Sequence, residues 1–256
     1  MAIYKKQALR IAGLVLVANI VWFTSLPADA QTKAAVPIAD AVGNAIYARE
    51  CAMCHGDQGD GSGPGSHMVN PKPRDFTLSV FKFRSTPSGQ PPTDSDLFKI
   101  ITNGVTGTAM PSFQELSENE RWALVAVVKQ FAGIQKSGTA VKVPAEPAAS
   151  SGSVAKGRQV YSKLKCAECH GGGGEADGSS SLTLKDDAKH RIWAADLTRG
   201  RFKGGSTSQD LYLRIHTGID GSPMPSYAAE ATPAEIWALV HYVRSLSITS
   251  RASRKR

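Results

Sequence analysis

The chain has 256 residues, 41% of them hydrophobic and 20% charged, with a formal net charge of +8. That length accommodates two ordinary domains, and the composition is that of a folded globular protein, which excludes a fibrous, collagen-like or predominantly disordered chain. Taking away residues 1–30 leaves 27 basic and 21 acidic groups, a net +6, of which four charges are Arg251, Arg254, Lys255 and Arg256.

Residues 1–10 carry Lys5, Lys6 and Arg10, residues 11–23 are nearly all apolar, and Ala28-Asp29-Ala30 offers small residues where a signal peptidase would read. This pattern predicts a signal peptide over residues 1–30, cleavage after Ala30 and a periplasmic protein. The alternative is a retained anchor, although Asn19 and Pro27 weaken a membrane helix of about 20 residues. No cysteine follows the apolar run, so nothing supports a lipid anchor. Export also removes nucleic acid as a partner for the basic tail, leaving solvent, anionic lipid or an acidic protein face.

Beyond the leader the chain is written twice. Gly43, Tyr47, Cys51, Cys54, His55, Met110, Phe113 and Trp122 recur as Gly157, Tyr161, Cys166, Cys169, His170, Met224, Tyr227 and Trp237, at offsets of 114 or 115 residues. A repeat of that length is duplication of a whole domain. Residues 40–133 form the first copy and 152–247 the second. The Ala/Pro/Ser-rich stretch 134–151 reads as a linker and 248–256 as a basic tail. The two copies hold 8 basic and 10 acidic groups, and 12 and 10, so the net charge resides mostly outside them.

Within each copy the pattern predicts a short helix before the cysteines, an irregular middle and a closing amphipathic helix. Ser117 with Glu120, and Thr232 with Pro233 and Glu235, are helix starts, followed by apolar runs over 122–131 and 236–246. Gly133 stops the first. The Gly- and Pro-rich middles lack strand alternation, so both domains are expected to be all-α with long loops. A domain of roughly 95 residues built this way has a meagre core of its own. Something large and apolar is needed to fill it.

The cysteines supply the candidate. In an oxidising compartment four cysteines ordinarily form disulfides, but here they stand as Cys51-Ala52-Met53-Cys54-His55 and Cys166-Ala167-Glu168-Cys169-His170, two copies of the C-x-x-C-H signature of haem c attachment. Thiols one helical turn apart suit the two vinyl groups of a porphyrin, and the adjacent histidine is carried under the iron. A zinc site would need the two pairs to converge, and a redox pair would not need the histidine. Two covalently attached haem c groups are expected.

Met110, 55 residues after His55, and Met224, 54 after His170, lie in the matched phrases Gly107-Thr108-Ala109-Met110-Pro111 and Gly221-Ser222-Pro223-Met224-Pro225. The proline after each stiffens the loop and disfavours helix at the methionine, which suits a second axial ligand better than a core methionine. The expected iron ligands are therefore His55, Met110, His170 and Met224. His67, His190, His216 and His241 recur in neither copy and are read as surface or loop histidines, and Met53 and Met68 as weaker rivals. Arg84 is either a partner for a haem propionate or exposed.

These residues resemble class I cytochrome c domains over nearly the whole chain beyond the leader. The resemblance implies that the helix bearing Gly43 and Tyr47, or Gly157 and Tyr161, crosses the closing helix of its copy beside the haem. Pro71-Lys72-Pro73-Arg74-Asp75-Phe76 and the pairs Phe83-Arg84 and Phe202-Lys203 look like those of cytochrome c components of respiratory chains, including subunits of haem-copper oxidases and of molybdenum enzyme systems. What it implies is an electron carrier and not an enzyme, passing single electrons between exported or membrane partners: a respiratory dehydrogenase, an oxidase or a molybdenum enzyme. Membrane association would come through an uncleaved N-terminus or a partner. The alternative is a dihaem enzyme such as a peroxidase or a thiosulfate dehydrogenase, which needs an openable iron or a cysteine ligand.

Overall fold

The computed structural model describes residues 38–253, and side chains from 41 to 247. The signal peptide expected over 1–30 and the side chains of the basic tail lie outside the described residues. Among the described residues there are eight α-helices, two 3₁₀ turns and no strand, only an isolated bridge between Lys185 and Arg191.

The first copy contains α1 (Ile38–Glu50), α2 (Ala52–His55), α3 (Asp94–Asn103) and α4 (Glu118–Phe131). The second contains α5 (Ser151–Lys163), α6 (Ala167–His170), α7 (Ser208–Thr217) and α8 (Pro233–Ser253) in the same order. Helices α1 and α4 pack together, as do α5 and α8. Glycine makes each crossing close: a Cβ at Gly43 would lie 2.6 Å from the carbonyl oxygen of Ala123, and one at Gly157 only 2.0 Å from that of Ala238. Each copy has its own core, with Ile46, Tyr47, Leu124 and Val127 at the centre of one and Val160, Tyr161, Ile236 and Val240 at the centre of the other.

The closing helices begin where their caps predict. Ser117 and Glu120 form a reciprocal capping box at α4, and Thr232 and Glu235 form one at α8, with bonds of 3.0 and 3.2 Å. Helix α8 continues to Ser253, into the segment assigned from sequence to the tail. The middles are less irregular than expected, because each contains a ten-residue helix, α3 or α7. Both open on a Thr/Asp capping box, Thr93 with Asp96 and Thr207 with Asp210, a compact variant of the Ser/Thr–Glu pattern. Their buried stripe is short: Leu97 and Ile101 carry it in α3.

The segment joining the copies is extended but pinned. The Val141 amide donates to the Ser85 carbonyl at 2.8 Å, Val143 packs on the core of the second copy, and Glu146 lies 3.5 Å from Nε2 of buried His241.

The two copies also grip each other directly. Arg84, with no exposed surface, pairs with Asp220 at 2.7 Å and donates to the Thr217 carbonyl at 3.1 Å. Asp220 accepts in addition from the Ser88 hydroxyl at 2.8 Å and the Gly89 amide at 2.9 Å. In the opposite direction Arg214 donates to the Lys82 carbonyl at 3.0 Å and to the Arg84 carbonyl, and Lys99 pairs with Asp210. Arg84 is therefore neither exposed nor, as its place outside the cavity described below shows, available to a propionate. It bonds the domains together.

Removing one partner of a buried ion pair strands the other charge, at a cost of about 3 kcal/mol or more. Asp220→Ala is expected to lower unfolding free energy by about that amount in urea titrations, and a change below about 0.5 kcal/mol, the size of an ordinary surface substitution, would contradict the clamp. A second expectation concerns acid. The Thr232 amide and Lys163 hold the Glu235 carboxyl at about 2, below its ordinary 4.5. The stabilisation is thus complete above about pH 5 and is lost as the pH falls through that interval. Thermal melts should show wild type losing more stability than Glu235→Gln between about pH 5 and 2, and parallel curves would contradict it.

Candidate haem-binding site

Each C-x-x-C-H motif occupies the turn after the first helix of its copy. In the first copy the amide of His55 donates to the Cys51 carbonyl at 2.9 Å, and in the second that of His170 to the Cys166 carbonyl at 2.9 Å. One helical turn therefore sets both thiols and the imidazole. The next residue, Gly56 or Gly171, has its carbonyl bonded by a buried tyrosine hydroxyl, Tyr47 at 2.8 Å and Tyr161 at 2.7 Å. This explains why an aromatic residue with a hydroxyl recurs in α1 and α5.

The imidazoles are fixed from behind. Nδ1 of His55 lies 2.9 Å from the Arg74 carbonyl, and Nδ1 of His170 lies 2.9 Å from the Ala195 carbonyl. A carbonyl only accepts, so Nδ1 is the protonated nitrogen and Nε2 keeps a free lone pair, the tautomer a metal requires. Burial lowers the pKa of both rings, against the opposing pull of the carbonyl bond, and keeps them neutral.

The segment that presents these carbonyls is itself repeated. Asp75 accepts from the Thr77 amide at 2.8 Å, and Asp196 from the Thr198 amide at 3.0 Å. The Phe76 amide donates to the Gly59 carbonyl and that of Leu197 to the Gly174 carbonyl, both at 2.7 Å. The signal was the phrase Asp-Phe-Thr against Asp-Leu-Thr, displaced by 121 residues. The longer loop of the second copy moved it out of the 114–115 frame, and sequence reasoning missed it.

The methionine loops match bond for bond. The Val105 amide donates to the Met110 carbonyl at 3.1 Å and that of Ile219 to the Met224 carbonyl at 3.0 Å. Thr108 and Ser222 brace them by donating to the Val105 and Ile219 carbonyls at 2.8 and 2.7 Å. The loop folds back on the end of the preceding helix, where Gly104 and Gly218 have φ of +65° and +69°. A Cβ at either would lie 2.5 or 2.6 Å from the backbone of Pro111 or Pro225, so both conformation and space demand glycine.

All eight residues singled out from sequence, Cys51, Cys54, His55, Met110, Cys166, Cys169, His170 and Met224, line one continuous cavity of about 890 Å³. A side pocket of about 30 Å³ has Cys51, His55 and Met110 on its walls. Phe76, Phe81, Leu97, Ile101, Leu211 and Ile215 contribute to an apolar lining. The cavity is as large as sites for sizeable ligands, and thiols, imidazole and thioether on apolar walls fit a covalently held metalloporphyrin. The residues present therefore suit haem c.

The four cysteines form no disulfide. Burial, with Glu50 and Cys54 adding to it, pushes the Cys51 thiol up to about 12, and burial pushes Cys166 up to about 11. Redox-active C-x-x-C pairs shift in the opposite direction. Among the described residues no group of three or more His, Cys, Asp or Glu side chains is arranged to hold a metal ion. The rival histidines stay away from the cavity. His67 and His190 are exposed, as expected. His216 stacks on Tyr212 within α7 and His241, 3% exposed, lies inside α8 beside Ser153, so these two are helix-packing residues and not surface or loop ones.

A tandem of helical domains, each with a haem c motif at the end of its first helix, defines a class of protein, and this chain belongs to the cytochrome c family. Residues 39–127 match the family model for cytochrome c oxidase, cbb3-type, subunit III, and residues 154–247 match the model for cytochrome c. The fold is that of two tandem cytochrome c domains, and such domains imply covalently bound haem c and electron transfer. Among solved structures the chain is similar to one from the Kuenenia stuttgartiensis reducing HAO-like protein complex Kustc0457/Kustc0458. The two are 41% identical with a TM-score of 0.78, over 80% of this chain and 95% of that one. No curated protein matches the chain.

Proposed function

We propose that the protein carries single electrons between periplasmic redox partners through two haem c groups, attached at Cys51/Cys54 and Cys166/Cys169 and ligated by His55 with Met110 and His170 with Met224. The observation that carries this reading is the duplicated frame: in each copy a carbonyl accepts the Nδ1–H hydrogen bond of a half-buried histidine, leaving Nε2 free on a cavity wall that also carries a braced methionine.

When bound, the haem iron supplies a one-electron ferric/ferrous couple. Cys51 with Cys54, and Cys166 with Cys169, would hold the group covalently, each thiol adding its S–H across one vinyl double bond to give a C–S and a C–H bond with no net oxidation. The histidines hold their protons at Nδ1 and offer Nε2 as ligand. The methionines offer a soft thioether that favours ferrous iron and raises the potential. On loops stiffened by Pro111 and Pro225, Met110 and Met224 would hold the iron against displacement by a substrate, which suits electron transfer. Peroxidase chemistry needs the sixth position open. A cysteine ligand of the thiosulfate-oxidising kind has no candidate, because all four cysteines belong to attachment motifs.

Export rests on the leader pattern of residues 1–30. The solved relative belongs to a protein complex, and we extend association with a separate redox protein to this chain. The first domain's likeness to a cbb3-type oxidase subunit supports a respiratory setting, with a dehydrogenase, oxidase or molybdenum enzyme as the class of partner.

Met110→Ala and Met224→Ala test the assignment separately. Each is expected to convert one of two low-spin signals in the oxidised protein's paramagnetic spectrum to high spin and to lower that centre's midpoint potential, leaving the other centre unchanged. A variant that keeps both low-spin signals and both midpoints would overturn the ligand assigned to that methionine.

A further inference from the structure

The two copies together hold 20 basic and 20 acidic groups, yet the cavity between the motifs is lined by eight lysine and arginine side chains and two carboxylates, Glu50 and Asp196. Both carboxylates are engaged, Glu50 with Arg49 at 2.6 Å and Asp196 with Arg199 at 2.9 Å. Charge neutral over the two domains is unevenly placed: Lys72, Lys165, Arg199, Arg201 and Lys203 stand exposed at the cavity rim, Arg74 and Lys82 are half-buried and Arg214 is buried. A cation withdrawn from water without a partner is costly, and for Arg74, Lys82 and Arg214 a need for anions is the simplest account of it.

Four of these cations bear on that need: Arg74 and Lys82 from the first domain, Lys203 and Arg214 from the second. Among the described residues none has a carboxylate within ion-pair distance. Arg214 is 8% exposed, its terminal nitrogens are spent on the Lys82 and Arg84 carbonyls of the other domain, and its Nε has no partner. Burial lowers the Lys82 ammonium to about 8, with Arg74 adding repulsion and Asp186 and Asp187 opposing the shift; partial burial also lowers Lys203, which stands exposed at the rim. All four groups line the one cavity that also holds both attachment motifs.

Haem carries its own anions. Each macrocycle has two propionate carboxylates on the edge away from the vinyl groups, so that thiols and propionates lie on different sides of it. We infer that Arg74, Lys82, Lys203 and Arg214 form a single counter-ion set, drawn from both domains, for the propionates of both haems. This deepens the proposed function and rests on it. Four cations then meet four carboxylates, and the Arg84–Asp220 clamp acquires a purpose beyond stability, since it holds the two halves of the set together. Because the set is shared, a charge contributed by one domain acts on the potential of the haem in the other, and the two centres are tuned as a pair.

The test uses the purified full-length dihaem protein with Lys82→Gln and Lys203→Gln made separately. Neither side chain forms a hydrogen bond or ion pair among the described residues, so the fold is expected to survive, which matching thermal melts verify. A nearby cation stabilises the added electron, so its removal lowers a midpoint potential. Redox titration is expected to show both midpoints moving to lower potential in each variant, with Lys142→Gln, outside the cavity, as a control that moves neither. A shift confined to the haem of the substituted domain, or no shift, overturns the shared set. If the wild-type chain, matured with haem, carries no covalent haem by mass, the cofactor reading itself has failed. Two attached haems with unmoved midpoints mean that only the counter-ion inference has.

Discussion

The hydrogen bond from a half-buried imidazole Nδ1 to a loop carbonyl, 2.9 Å long in both domains, is the constraint on which the site depends. It chooses the tautomer, fixes the ring plane and frees Nε2. The loop must then stay where it is, and the Asp75–Thr77 and Asp196–Thr198 turns and the tie to Gly59 or Gly174 see to that. The tyrosines of α1 and α5 lock the other side of the same turn. The residues that present the site lie mostly in loops between the helices, and the hydrogen bonds of those loops do the positioning.

The second level of organisation is the interface. Two domains with separate cores are joined by charged groups, Arg84 with Asp220, Arg214 with backbone carbonyls and Lys99 with Asp210, alongside the close approach of Phe83 to Gly204 and of Val80 to Gly221. Polar clamps of this kind specify one relative arrangement, because each donor must find its acceptor. The outcome is one cavity serving two motifs. Two redox groups bound there would be neighbours inside a single protein, which gives an electron a short internal path.

Much of this was legible in the sequence because the chemistry is local. A Cys-x-x-Cys-His turn needs only five consecutive residues, and the Gly-Met-Pro loops need about as many, so spacing and repetition exposed all eight candidate residues. The capping boxes at Ser117 and Thr232 gave the closing helices for the same reason. Helices α3 and α7 escaped notice because ten residues carry too few apolar positions for a clear period, and Asp in place of Glu disguised their caps. What was least legible depends on distant partners. Arg84 is an arginine in a polar phrase until Asp220, 136 residues later, is placed beside it. The same holds for His241, whose burial in α8 no local pattern announces.

The central claim is that both irons are held between an imidazole and a thioether. Paramagnetic resonance of the oxidised wild-type protein, quantified against its covalently bound haem, tests it most directly. The account predicts two low-spin centres of equal weight with the signature of His/Met ligation. A high-spin centre at rest, or a signature of two nitrogen ligands at either site, would contradict it.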